Sequence, residues 1–288
     1  MQKYQDILDN DERLRILGWE KIYHQAIHLP EQILSGNQIR FKFRNITSSQ
    51  KEIYIWTDGD DNALLIQLLQ EIYRDKLSIL WLDEIPADWS DEKGWLIIPD
   101  YRNQVEFIPD APGILYLSDR DPARVLQQTT YFSSNDIPAN EGLGIFTGLL
   151  CLFLDDTYGF NSDPVINKIV AFIMQKAGVL ARRNPLQINF AKMWAVRLLD
   201  ADSWQIFSFE DDFQYIAEYW RKKLESWAGL IPGKGKEIYL SRIQPKSSVS
   251  SMTDGSAVIY ADGNDLLCEV LSLYYLVNLM AVYTAVIK

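Results

Sequence analysis

The sequence predicts an α/β fold, with a mainly parallel sheet in its first half and an α-helical lobe after it. Two observations carry this. Between residues 52 and 118, four short runs rich in β-branched and aromatic residues recur, and the first is followed by a helix-period run. Beyond about residue 162 the chain changes character, and long stretches place apolar residues three and four apart.

In chain order, Asp11 to Ile27 reads as a helix with Leu14, Leu17, Ile22 and Ile27 on one side, ended by Pro30. Ile39 to Phe43 alternates apolar and basic residues as a half-buried edge strand does. Glu52 to Thr57 is a strand, DGDDN a turn, and Ala63 to Asp75 a helix carrying Leu64, Leu65, Leu68, Leu69 and Ile72 at helical spacing. Leu77 to Leu82, Gly94 to Pro99 and Gly113 to Ser118 supply three more strands, and Asp121 with Pro122 opens a helix. Strands alternating with helices imply a sheet of Rossmann-like type. Gly148 to Asp156 fits a buried strand or a helix, which periodicity does not separate. Asp163 and Pro164 then open a helix with Ile166, Ile169, Val170, Ile173 and Met174 on one face. The expected organisation is an N-terminal helical segment over 1–37, an α/β domain over 38–160 and a helical lobe over 161–288. YIWTDGDDNALL and VIYADGNDLLCE look alike, but both read as a generic strand, turn and helix cap rather than a repeat.

Composition narrows the function. With 288 residues, 48% apolar and 23% charged, the chain is neither disordered nor collagen-like. A net charge of −11 repels phosphate backbones and disfavours nucleic acid as the main partner. Cys151 and Cys268 sit in apolar runs, which predicts buried, reduced thiols and a cytoplasmic protein. Val270 to Ile287 is uncharged and long enough to count as a membrane span, yet Ser272, Asn278 and Thr284 favour a buried core helix.

Two carboxylate clusters are the candidate chemistry. Asp58, Asp60 and Asp61 follow the Glu52 to Thr57 strand, where an open parallel sheet usually binds its ligands, and Asp155 and Asp156 end an apolar run. Asp58 with Asp60, or Asp155 with Asp156, is thus the alternative Mg2+ site for a phosphate or diphosphate ester. The Asp58, Asp60 pair with Ser118 resembles a haloacid-dehalogenase phosphohydrolase, without its lysine, since no Lys occurs from Arg120 to Asn167. LFLDDTYGF, with Arg242, resembles the aspartate motif of class I terpene synthases, but Asn264 and Asp265 are followed by Cys268 and Ser272 at its second-motif positions. The competing reading is that these aspartates cap helices in solvated turns. His24 and His28 lie four apart with no further ligand in sequence. No Gly-x-Gly-x-x-Gly, phosphate-binding Gly-Lys-Ser/Thr, Gly-x-Ser-x-Gly or Cys-x-x-Cys motif is present. Aromatic residues instead crowd residues 194–227, and Phe213, Tyr219, Trp220 and Trp227 are the candidate anchors for a protein partner.

The order of motifs over residues 52–160 resembles the effector-adaptor chaperones of bacterial type VI secretion. The stretches that carry it are YIWTDGDDNALLIQLLQEI, ILWLDEIPADWSDEKGWLIIPD, APGILYLSDRDPARVLQQTTYF and LCLFLDDTYGF. The resemblance implies a non-catalytic cytoplasmic adaptor, without a cofactor, that holds a secreted effector and delivers it to a spike protein. The alternative is the Mg2+-dependent enzyme.

Overall fold

A computed structural model of the chain describes residues 2–8, 11–16, 51–56, 60–100, 105, 107–118, 126–133, 142–180, 184–199, 203–229, 231–232, 235–242 and 256–288. These divide into two compact units, one of Leu29–Lys168 and one of Met1–His28 with Ile169–Lys288. The N-terminal residues thus belong with the second half of the chain. The strand expected at Ile39 to Phe43, the helix expected from Asp121, and His24 and His28 lie outside the described residues.

In the Leu29–Lys168 unit, strands β1 (Glu52–Trp56), β2 (Ser78–Leu82), β3 (Trp95–Asp100), β4 (Ile114–Ser118) and β5 (Thr130–Ser133) form one sheet in the order β2-β1-β3-β4-β5. Every neighbouring pair is parallel. The central β3 and β4 are buried throughout, because a parallel sheet is covered on both faces, and they read accordingly as near-continuous apolar runs. Helix α3 (Asp60–Ile72) leaves β1, and α4 (Gly142–Tyr158) follows β5; the two pack together. A right-handed crossover from β1 to β2 sets the face on which α3 lies, and α4, packed on α3, covers that face too. Seventeen residues make α4 too long for a strand, which resolves the ambiguity at Gly148 to Asp156. The opposite face is covered differently. Leu96, Ile98, Ile114 and Tyr116 pack there with Ile108 and Leu126, under Ile85, Trp89, Val105 and Ala111 of the connecting segments. From β2 to β3 the only regular structure in the described connection is one short 3-10 turn, Asp91–Lys93, started by Ser90, whose hydroxyl accepts the Glu92 N–H. Asp110 anchors this cover by accepting the backbone N–H groups of Gln127, Gln128 and Thr129.

Tyr73, at the end of α3, places its hydroxyl 3.1 Å from the Cys151 carbonyl oxygen and 2.9 Å from Asp155 Oδ1. Asp155 Oδ2 accepts from both the backbone N–H and the hydroxyl of Ser162. Burial pushes the Cys151 thiol up to about 12 and raises the Tyr73 phenol as well. Above pH 9.0 the unfolded chain releases a Cys151 proton that the folded chain keeps, so the unfolded state binds fewer protons and stability falls as pH rises. Each such group removes about 1.4 kcal/mol per pH unit until its folded-state value is reached. Urea denaturation between neutral pH and pH about 11 is expected to show this decline, and Cys151→Ala to flatten it by one proton's worth.

The other unit holds α1 (Gln2–Leu8), α2 (Asp11–Ile16), α6 (Phe190–Leu198), α7 (Gln214–Ala228) and α8 (Leu266–Ile287), while α5 (Asp163–Val179) straddles the division. The expected long helices are present. So is a second sheet that the helical reading of residues 161–288 omitted. Strands β6 (Ser203–Ser208), β7 (Ile231–Pro232), β8 (Lys236–Ser241) and β9 (Ala257–Tyr260) run parallel in the order β7-β6-β8-β9. Each sheet therefore starts in its middle, lays its second strand on one side and continues on the other. The sequence echo between Tyr54 and Val258 does not mark this correspondence, because it pairs the first strand of one sheet with the last of the other.

Helix α8 is the core of this unit. It packs against α1, α6 and α7 and is buried along nearly its whole length, so the candidate membrane segment is an interior helix. Asp265 caps it by accepting the Cys268 N–H. Two of its polar residues are bonded inside: Asn278 accepts from Tyr219 and donates to the Tyr274 carbonyl, and Thr284 donates to the Met280 carbonyl. Phe213, Tyr219 and Trp220, expected as partner anchors, are all buried, and the Trp220 indole N–H donates to the Leu273 carbonyl of α8 at 3.0 Å. They are core residues because α7 packs against both β6 and α8, which demands a wide apolar arc. Trp227 lies in α7, and its side chain is outside those described.

Candidate functional site

In open parallel sheets, ligands bind beyond the carboxyl ends of the strands, where successive connections leave in opposite directions. In the first sheet that point lies between β1 and β3. Asp100, at the end of β3, is buried, and its Oδ2 accepts from the Tyr116 hydroxyl at 2.9 Å and the Val105 N–H at 3.3 Å. Ser118, its register partner at the end of β4, is buried too. The described part of this rim is bonded to itself. Of the aspartates expected there, Asp58 lies outside the described residues, and Asp60 and Asp61 open α3 with side chains outside those described. The second expected pair is not brought to either rim: Asp155 is held by Tyr73 and Ser162, and Asp156 is exposed on α4. Among the described residues no three His, Cys, Asp or Glu side chains are grouped to hold a metal.

The second sheet presents a different rim. Its reversal lies between β6 and β8, and the chain leaves β6 through Phe209 and Glu210 into the 3-10 turn Asp211–Phe213. Beyond β8 come Ser241 and Arg242. Glu269, in the first turn of α8, accepts from Arg242 Nε at 2.7 Å, and Asp212 lies 3.4 Å from Arg242 Nη1. Glu210 Oε1 accepts from the Ser241 hydroxyl at 3.1 Å and from the Arg242 backbone N–H at 3.2 Å, while its Oε2 is buried without a hydrogen-bond partner. Ser272 steadies the approach to α8, accepting the Asp262 N–H and donating to the Glu269 carbonyl.

The guanidinium of Arg242 is thus fixed through Nε by a carboxylate that is itself nearly buried, with its side chain 34% exposed. Among the described residues its Nη atoms meet only Asp212, at the long distance given above and with that carboxylate mostly in solvent. A guanidinium held by one edge presents its remaining N–H groups as a preoriented fork, the geometry that matches a phosphate or carboxylate. Beside this cluster three rings stack: Phe209 on Tyr239 at 4.7 Å and 13°, and Phe207 on Tyr239 at 5.3 Å and 25°. The Tyr239 hydroxyl donates to Glu237, and that bond raises its pKa above the ordinary phenol value. The sequence singled out Arg242 only within a resemblance and Phe209 only as one of the crowded aromatic residues, and it did not single out Glu210 or Glu269. The signal was KEIYLSR, an alternating strand ending in a cation, preceded by a second strand ending in Phe-Glu.

No family model and no curated protein matches this chain. Solved structures do. A glucose-6-phosphate isomerase like protein from Thermus thermophilus matches with a TM-score of 0.55 and 14% identity, covering 97% of this chain and 93% of that one. The fold is shared with the phosphosugar isomerases. The C-terminal domain of glucosamine-fructose-6-phosphate aminotransferase from Francisella tularensis matches with a TM-score of 0.58 and 12% identity, over 94% and 96% of the two chains. A Clostridium difficile 630 protein assigned as a phosphosugar isomerase matches at 0.56 and 11%, over 92% of each. These likenesses span both sheets, so they replace the resemblance over residues 52–160 to type VI secretion adaptors. That resemblance rested on strand, turn and helix segments that any parallel α/β unit repeats. The adaptor reading falls with it. The Mg2+-enzyme alternative receives no support from these likenesses either.

Proposed function

We propose that this chain is a cytoplasmic sugar-phosphate-binding protein, with its ligand at the carboxyl rim of the second sheet and the phosphate on the Nη face of Arg242. The observation that carries the reading is the anchored guanidinium: Glu269 holds Nε, and the fork opens at the point where the strand order reverses. The names of proteins sharing the fold, which refer to phosphosugars, support the same ligand class. The overall charge of −11 disfavours anions at long range, which makes a local, oriented cation necessary rather than incidental. The buried thiols Cys151 and Cys268 support placement in a reducing compartment.

Calorimetric titration of the full chain with hexose 6-phosphates is expected to show saturable binding that weakens as salt is raised. Arg242→Met should weaken it about 10- to 100-fold, the loss expected for a charged hydrogen-bonded pair. Arg74→Met, which removes an exposed pair with Glu71 on α3, should leave it unchanged. Equal affinity of wild type and Arg242→Met would refute the assignment.

A further inference from the structure

We propose that the rim of the second sheet reads the sugar in its closed, cyclic form, with Phe209 as the surface on which the ring lies and Glu210 as the acceptor of a ring hydroxyl. This rests on the preceding reading of Arg242 as the phosphate partner, and adds what selects the remainder of the ligand.

Phe209 is 55% exposed, yet it is not loose. Its backbone N–H donates to the Leu240 carbonyl at 3.0 Å, which ties it to β8, and its ring stacks nearly parallel on Tyr239. Tyr239 in turn carries Phe207 and is held by Glu237 through its hydroxyl. One face of the Phe209 ring is thereby occupied and the ring's orientation set, so a planar apolar partner meets the free side at little cost in ordering. A single exposed aromatic residue carries no message. A braced one directly joined to an unsatisfied carboxylate does.

Glu210 is the second half of the observation. Its Oε1 is spent on Ser241 and the Arg242 backbone, whereas Oε2 is withdrawn from water and has no donor. A carboxylate oxygen in that condition gains from a hydroxyl delivered to it once the Glu210 side chain turns to meet the ligand. A pyranose offers one apolar C–H face and a rim of hydroxyl donors. Laid on Phe209, it presents the rim to Glu210 while its phosphate reaches Arg242, which follows Ser241 at the end of β8. An open-chain polyol has the same hydroxyls but no rigid face to set on the ring.

The test uses the full-length protein and three probes: 1,5-anhydroglucitol 6-phosphate, a ring that cannot open; glucitol 6-phosphate, a chain that cannot close; and inorganic phosphate. The closed probe is expected to bind at least about fivefold more tightly than the open one, the scale of one aromatic contact. Phe209→Ala should abolish that preference while leaving the open probe and phosphate unchanged, and Phe209→Tyr should restore it. Glu210→Gln should weaken both sugar probes and spare inorganic phosphate. Equal affinity for the closed and open probes, with binding still dependent on Arg242, would overturn this inference and leave the phosphate assignment standing. Absence of binding by all three probes would overturn both.

Discussion

Trp220→Ala is expected to unfold the second unit rather than to detach a partner from it. The indole is fully buried, on a helix that packs against β6 and α8, and its N–H is bonded to the Leu273 carbonyl. Removing a core tryptophan costs about 3 to 5 kcal/mol, because the cavity collapses only in part. Against a total stability of about 5 to 15 kcal/mol this is a large fraction, and for a unit of this size it lowers the melting temperature by roughly 10 °C or more. Trp220→Phe, which keeps most of the ring volume and loses the N–H, should cost about 1 to 2 kcal/mol. Thermal and urea denaturation with a near-ultraviolet signal separates the two. A Trp220→Ala protein as stable as wild type would mean that α7 does not pack as described.

Gly94→Ala is expected to be the most damaging single-methyl addition among the described glycines of the first unit. Gly94 has φ +122°, a conformation that disfavours any residue with a Cβ, and a Cβ there would collide with the backbone carbonyl oxygen of Glu52 where β1 begins. Neither group can yield without disturbing β1 and β3, which are paired immediately beyond this point. The expected loss is about 2 to 4 kcal/mol, combining backbone strain with the displacement of a strand. Gly159→Ala supplies the contrast. Its φ is +69° but nothing lies within 4 Å of the added methyl, so only the conformational cost of about 1 to 2 kcal/mol applies. Equal losses at the two sites, measured by urea denaturation at constant m, would show that the collision is relieved by backbone movement.

The first sheet was legible because its strands are buried on both faces and carry unbroken apolar runs such as WLIIP and GILYL. The second was not, for physical reasons visible in its strands. In β6 the buried Trp204 and Ile206 alternate with the partly exposed Gln205 and exposed Phe207, and a strand with an aromatic residue on its outer side reads as part of an aromatic crowd. β7 has two residues, too few to leave any periodicity. The candidate site escaped for a related cause. Glu210, Arg242 and Glu269 are far apart in sequence and meet only because β6 and β8 are neighbours and α8 starts beside them. The aspartates at Asp155 and Asp156 stood out by adjacency, yet adjacency on a helix sends two side chains apart, one to Tyr73 and Ser162 and the other to solvent.

Helix α8 has a consequence for the life of the protein as a chain. It is apolar on every side, with no charged residue from Val270 to Ile287, and native packing is what hides it. Any opening large enough to release it presents an oily rod to its surroundings, so self-association competes with refolding as soon as molecules are concentrated. Durability on warming is then governed by how rarely the rod escapes, a rate of release rather than a balance between two soluble states.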